Sequence, residues 1–222
     1  MMRIHDSYGG GEMACILVNN RALLLGATDI DWDNLGGQKK AVISDDGTNV
    51  FLNGAVSVRV FHMWRNTTQS GQKGDSLMLR HQTVTDPALS KFRDWPGNFA
   101  PLAALLWTDR LDPHDGFIDI VFNDHVNGPT VEAAGVQIQT LDKGALNGQG
   151  EFTAFVRAFD LNGALLGEFS SSCSYSNAGD DSATFIGVTG GGISRIEFSV
   201  GDPKTGEFYP NGFVVNRLSI IP

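Results

Sequence analysis

From residue 117 to its end the chain repeats one kind of segment. Seven apolar runs follow one another: FIDIVF (117–122), VEAAGVQIQTL (131–141), EFTAFVRAFD (151–160), ALLGEFSSS (164–172), SATFIGVT (182–189), ISRIEFSV (193–200) and GFVVNRLSII (212–221). The breaks between them are NDHVNGP, NGQG, DLNG, SNAGDD, GGG and GDPKTGE, all built from residues that turn a chain. Strands at this spacing, with no helix between them, form an antiparallel sandwich. The expected class is therefore all-β, with at most one short helix.

The first half carries weaker signals. MACILV (13–18) and RALLLG (21–26), separated by Asn19-Asn20, predict a hairpin. AVIS (41–44), the turn DDGTN and VFLN (50–53) predict strand, turn, strand. In VSVRVFHMW (56–64), Val56, Val58, Val60, His62 and Trp64 share one face. LMLRHQ (77–82) is a short strand, and DPALSKFRDW (86–95), with Leu89 and Phe92 on one side, is the single helix candidate. WPGN (95–98) is a turn from which FAPLAALLWT (99–108) enters the core as an apolar strand broken at Pro101. Residues 1–12 are polar and glycine-rich, so one domain over 13–222 with a loose N-terminal segment is expected.

Composition narrows the partners. A net charge of −9 offers no basic stripe for phosphate, which argues against nucleic acid. No apolar run reaches the ~20 residues that span a bilayer, so no membrane insertion is expected. Two cysteines, Cys15 and Cys173, make neither a disulfide framework nor a metal-site spacing; one bridge and two separate buried thiols both stay open. No nucleophile elbow, phosphate loop, zinc-protease motif or dinucleotide fingerprint occurs. The clusters His114/Asp115 and Asp124/His125 lie at opposite ends of one strand, ~20 Å apart if extended, which separates them as ligands of one metal. Asp119, midway along that strand, is expected to face outward into solvent.

WPGNFAPLAALLWT, GFIDIVF, VNG…AAGVQIQ and FTAFVRAFDLNGALLGEF occur in that order, followed by DDSATFIGV, ISRIEFSV and FVVNRLSI. This succession, over residues 28 to 221, resembles a group of bacterial exported β-sandwich proteins, many of which carry a Pro-Glu-Pro C-terminal sorting tail. It is also similar to jelly rolls of the galactose-binding and carbohydrate-binding-module kind. The resemblance implies a jelly-roll sandwich, a secreted or cell-surface location, carbohydrate as ligand class and, often in such domains, a structural calcium ion. The start, MMRIHDSYGGGEMACILV, has glycines and charges where a signal peptide has its apolar stretch, and the sorting tail is not seen. A cytoplasmic location therefore stands beside the exported one.

The residues supply candidates for both ligands. No cofactor is required; calcium, which prefers oxygen donors, would find them in Asp45, Asp46 and Asn49 or in Asp180 and Asp181. Asp29, Asp31 and Asp33 resemble the start of an EF-hand loop but lack its sixth-position glycine and twelfth-position glutamate, so that reading is rejected. A sugar ring stacks on an exposed aromatic face, with amides and carboxylates holding its hydroxyls. Trp32 and Trp95, in polar surroundings, are expected to be partly exposed; with Asn98, Tyr175 and Tyr209 they form the candidate ligand set. Trp107 is expected in the core. The leading expectation is a non-catalytic binding or surface-associated domain. Two rivals are a polymer-acting hydrolase with paired carboxylates, drawn from Asp119, Glu132 and Glu151, and a self-assembling structural module.

Overall fold

The computed structural model describes residues 15–32, 42–43, 50–53, 56–64, 77–81, 97–108, 116–123, 130–140, 150–176, 178–201 and 212–222. The strands among them are β1 (Ile16–Val18), β2 (Thr28–Ile30), β3 (Val42–Ile43), β4 (Val50–Asn53), β5 (Val56–Trp64), β6 (Leu77–His81) and β7 (Ala104–Trp107). They continue as β8 (Gly116–Phe122), β9 (Val131–Thr140), β10 (Gly150–Phe159), β11 (Leu165–Tyr175), β12 (Thr184–Ile193), β13 (Arg195–Gly201) and β14 (Phe213–Ile221).

Strands β7 to β14 wind in the order that defines a jelly roll. One sheet contains β12-β9-β14-β7 and the other β11-β10-β13-β8, all pairs antiparallel. Apart from the β10–β11 hairpin, each strand lies in the opposite sheet from its predecessor, which gives the two nested Greek keys of this architecture. The earlier strands widen the sandwich. In the first sheet β6 and β3 extend beyond β7, β2 pairs with β14, and β1 pairs with β12; in the second, β5 and β4 extend beyond β8.

The core follows from alternation. Ile118, Ile120 and Phe122 on β8, Ile196, Phe198 and Val200 on β13, and Phe152, Ala154, Val156 and Ala158 on β10 all point inward. They meet Ala134, Val136 and Ile138 of β9 and Phe213, Val215, Leu218 and Ile220 of β14. On β5, Val56, Val58 and Val60 are buried as their spacing requires. Cys15 and Cys173 are both buried and form no disulfide, and burial pushes both thiols above their ordinary range.

Three expectations are corrected. MACILV and RALLLG do not form a hairpin: β1 pairs with β12, and Asn20 accepts a 2.9 Å hydrogen bond from the Ala22 amide and caps a 3-10 turn over Arg21–Leu23. AVIS and VFLN do not pair with each other, because β3 joins β6 in the first sheet and β4 joins β5 in the second. FAPLAALLWT is strand only over Ala104–Trp107. Pro101 lacks an amide hydrogen and Leu102 sits at φ 65°, so the chain turns there before it enters the sheet. The helix candidate 86–95 and the N-terminal segment 1–12 lie outside the described residues.

A polar pocket on the first sheet

The outer face of the first sheet carries two small apolar clusters. Phe99, Leu105, Val214 and Ala183 pack at one end; Val18, Leu24, Ala133 and Phe185 pack at the other. A polar pocket of about 280 Å³ opens on the same face, lined by Arg21, Gln137, Asp181, Phe185, Arg217 and Ser219. Strand alternation places Gln137 of β9 and Ser219 of β14 there, on the side opposite Val136, Ile138, Leu218 and Ile220. Arg217 arrives through a bulge. Val215 faces Ile138 and Leu218 faces Val136, so β14 spends one more residue than β9 over this stretch. Within the bulge the Asn216 side chain accepts from the Arg217 amide at 2.7 Å and donates to Gln137 Oε1 at 2.7 Å.

The pocket's floor depends on two glycines. Gly135 and Gly187 face each other across β9 and β12. A Cβ on Gly135 would lie 2.5 Å from the tip of the Phe185 ring, so the ring rests on bare backbone. Its arginines are held from behind. Asp29 takes Arg21 Nη2 at 2.5 Å and lies 3.6 Å from Arg217 Nη1, while Ser219 Oγ donates to Asp29 at 2.7 Å and accepts from Arg21 Nε at 3.0 Å. The arginine side chains remain 48% and 41% exposed, which leaves donors free to meet a ligand from solvent. On the opposite wall Asp181, at φ 62°, accepts from Gln137 Nε2 at 3.1 Å.

Several sequence candidates converge beside this pocket in supporting positions. Asn98 is buried; its amide donates to Ser182 Oγ at 3.1 Å and its oxygen accepts from Gln139 Nε2. Asp180 accepts from Ser182 Oγ at 2.6 Å, and that bond holds its carboxyl below the ordinary range. Backbone bonds from Gly179 to Gly97 and from Ala183 to Asn98 join the two loops. Asn98 is thus a clamp between loops. Among the described residues no group of three or more His, Cys, Asp or Glu side chains forms a metal-ligating cluster.

The aromatic candidates separate from the pocket. Trp32 is 0% exposed, which corrects the expectation of partial exposure. Ile30 and Trp32 fall on the inward side of the chain, so the indole packs in the core. Tyr175 ends β11 with its ring turned into the same core. Trp107, expected in the core, is half-buried against the Phe99 cluster. Trp95, Tyr209, Asp45, Asp46 and Asn49 lie outside the described residues.

The second sheet carries a separate charged row. Asp119, Glu197, Arg157 and Glu168 stand opposite one another in turn across β8, β13, β10 and β11. Asp119 points outward as expected, yet it is buried rather than solvated, and Oδ1 has no hydrogen-bond partner. Burial pushes its carboxyl up to about 7; Arg195 opposes that rise and Glu197 adds to it. Arg195 Nη1 lies 3.1 Å from Glu197 and 3.7 Å from Asp119, Arg157 Nη1 lies 3.2 Å from Glu197, and the Arg195 guanidinium stacks 3.9 Å from the centre of the Phe159 ring. The expected carboxylate partners do not join Asp119. Glu132 is exposed on β9 and Glu151 is exposed on β10. Glu197, Arg21, Gln137, Arg217 and Ser219 were not legible as site residues, because only strand register and the β14 bulge bring them to their neighbours.

Fold and pocket together define a jelly-roll β-sandwich with a polar surface pocket on one sheet. No family model matches the chain and no curated protein matches it. Among solved structures it is similar to a DUF4465 family protein from Bacteroides caccae ATCC 43185, at 10% identity and a TM-score of 0.48, over 89% of this chain and 100% of that one.

Proposed function

We propose that the protein is a non-catalytic binding domain whose pocket on the first sheet takes a sugar residue of a glycan. The observation that carries this reading is the pocket's lining: two arginines, an amide, a carboxylate and a hydroxyl converge on one cavity beside an aromatic ring. Hydroxyl groups of a sugar both donate and accept, and this lining offers partners of both kinds. Phe185 supplies the apolar patch that a pyranose face covers. The location that suits such a role is the cell surface or the medium. No cofactor enters the reading, and calcium would at most stabilise a loop.

The test is depletion of the purified protein by a panel of soluble and insoluble polysaccharides, with calcium and again with a chelator. Selective retention on one polymer, lost by ~10-fold or more in Arg217→Ala and Gln137→Ala, is expected. No retention on any polymer, or wild-type retention by both variants, overturns the reading.

The Asp119–Glu197 pair favours a second reading, a glycan hydrolase. Neighbouring strand positions bring two side chains within ~5 Å, the spacing retaining glycosidases use. Both carboxylates are buried and tied to arginines, which leaves the binding reading ahead. Release of reducing ends by the wild type but not by Glu197→Gln would reverse that order.

A further inference from the structure

β11 is the outermost strand of the second sheet, and it is 11 residues long. Edge strands of this length are usually blunted by lysine, proline or a bulge in mid-strand. β11 contains no Lys, Arg or Pro; its one charged residue is Glu168, and its irregularity is confined to the start, where Phe159 faces Leu165. The outward side chains Glu168, Ser170, Ser172 and Ser174 are all exposed, and among the described residues no strand pairs with the far side of β11.

From the unblocked edge and its self-complementary pattern, we propose that β11 pairs antiparallel with β11 of a second copy of this chain, about a two-fold axis at Ser171. This register sets Ser170 against Ser172 of the second copy, Phe169 against Cys173 and Glu168 against Ser174. Apolar faces apolar, hydroxyl faces hydroxyl, and the two Glu168 carboxylates stay apart. An isologous contact of this kind closes on itself and stops at a dimer. Leu165, at the start of β11, is 51% exposed in the single chain and adds apolar surface at the edge. Joining two edges merges the second sheets of the two copies into one continuous sheet, the mode by which strands add to open edges elsewhere.

Sedimentation velocity of the full chain over a concentration series tests this. The wild type is expected to sediment as a dimer at the upper end of the series. Ser170→Lys/Ser172→Lys, which places like charges across the two-fold at exposed positions, is expected to be monomeric throughout with an unchanged circular dichroism spectrum. Ser170→Cys/Ser172→Cys is expected to give a covalent dimer on mild oxidation, which keeps the test independent of how well the lysine variant folds. A monomeric wild type, or a dimer that survives in the lysine variant and fails to cross-link in the cysteine variant, overturns the proposal.

Discussion

Asp119 and Glu197 stand directly opposite each other on β8 and β13, and Arg195 Nη1 lies against both, 3.7 Å from one and 3.1 Å from the other. Two carboxylates share one guanidinium contact in a buried place. Desolvation is the larger influence on Asp119, and its carboxyl therefore stays protonated up to about 7.

This sets the sign of a pH dependence. Unfolded, Asp119 titrates near 3.8; folded, near 7. Between those values the folded state holds the additional proton, so the group's contribution is whole below about 4 and is lost as the pH rises through about 7. The shift corresponds to roughly 4 kcal/mol at its limit. The Tm of the wild type relative to Asp119→Asn should therefore rise as the pH is lowered from 8 to 4. Parallel curves for the two proteins would show that Asp119 does not titrate in this window.

Gly187→Ala should destabilise the fold by ~1–3 kcal/mol or more. The new Cβ would lie 2.5 Å from the Ala134 carbonyl oxygen and 2.7 Å from the Gly135 Cα, both backbone atoms that cannot swing away. Gly135→Ala meets the Phe185 ring at 2.5 Å instead, so it should also reshape the pocket and weaken glycan retention. Chemical denaturation of both variants, with retention measured on Gly135→Ala, checks the pair.

Trp32→Ala should cost ~3–5 kcal/mol through the cavity it leaves. The indole is wholly buried, so the loss should appear in thermal melting, with retention per folded molecule unchanged. A variant that melts like the wild type would contradict the core position of Trp32.

Asn98→Ala removes the clamp between residues 97–99 and the loop that precedes β12. Ser182 Oγ loses a donor and Gln139 Nε2 one of its two acceptors, the Ser176 carbonyl remaining at 2.9 Å, so the cost should be ~1 kcal/mol. Hydrogen exchange at Gly179 and Ala183, whose amides bond to Gly97 and Asn98, should quicken in the variant while exchange in β13 stays slow.

What the sequence determined alone is the run of strands in the second half of the chain and the buried faces of the regular ones. Period-two alternation marks which side chains of β5, β8, β10 and β13 turn inward, and turn residues mark the breaks between runs, because both signals are local. The antiparallel sandwich and most strand limits in the second half follow from them. Tertiary structure decided everything that depends on register between distant strands. It set Glu197 beside Asp119, carried Arg21 to Ser219 across 198 residues of chain, and used the Asn216 bulge to aim Arg217 at the pocket. It also sent Trp32 and Tyr175 inward and gave Asn98 a structural bond network. Polar sequence surroundings describe a residue's neighbours along the chain, whereas burial depends on which strand lies across from it. The pocket's lining comes from four separate stretches of chain, and no local pattern encodes their meeting.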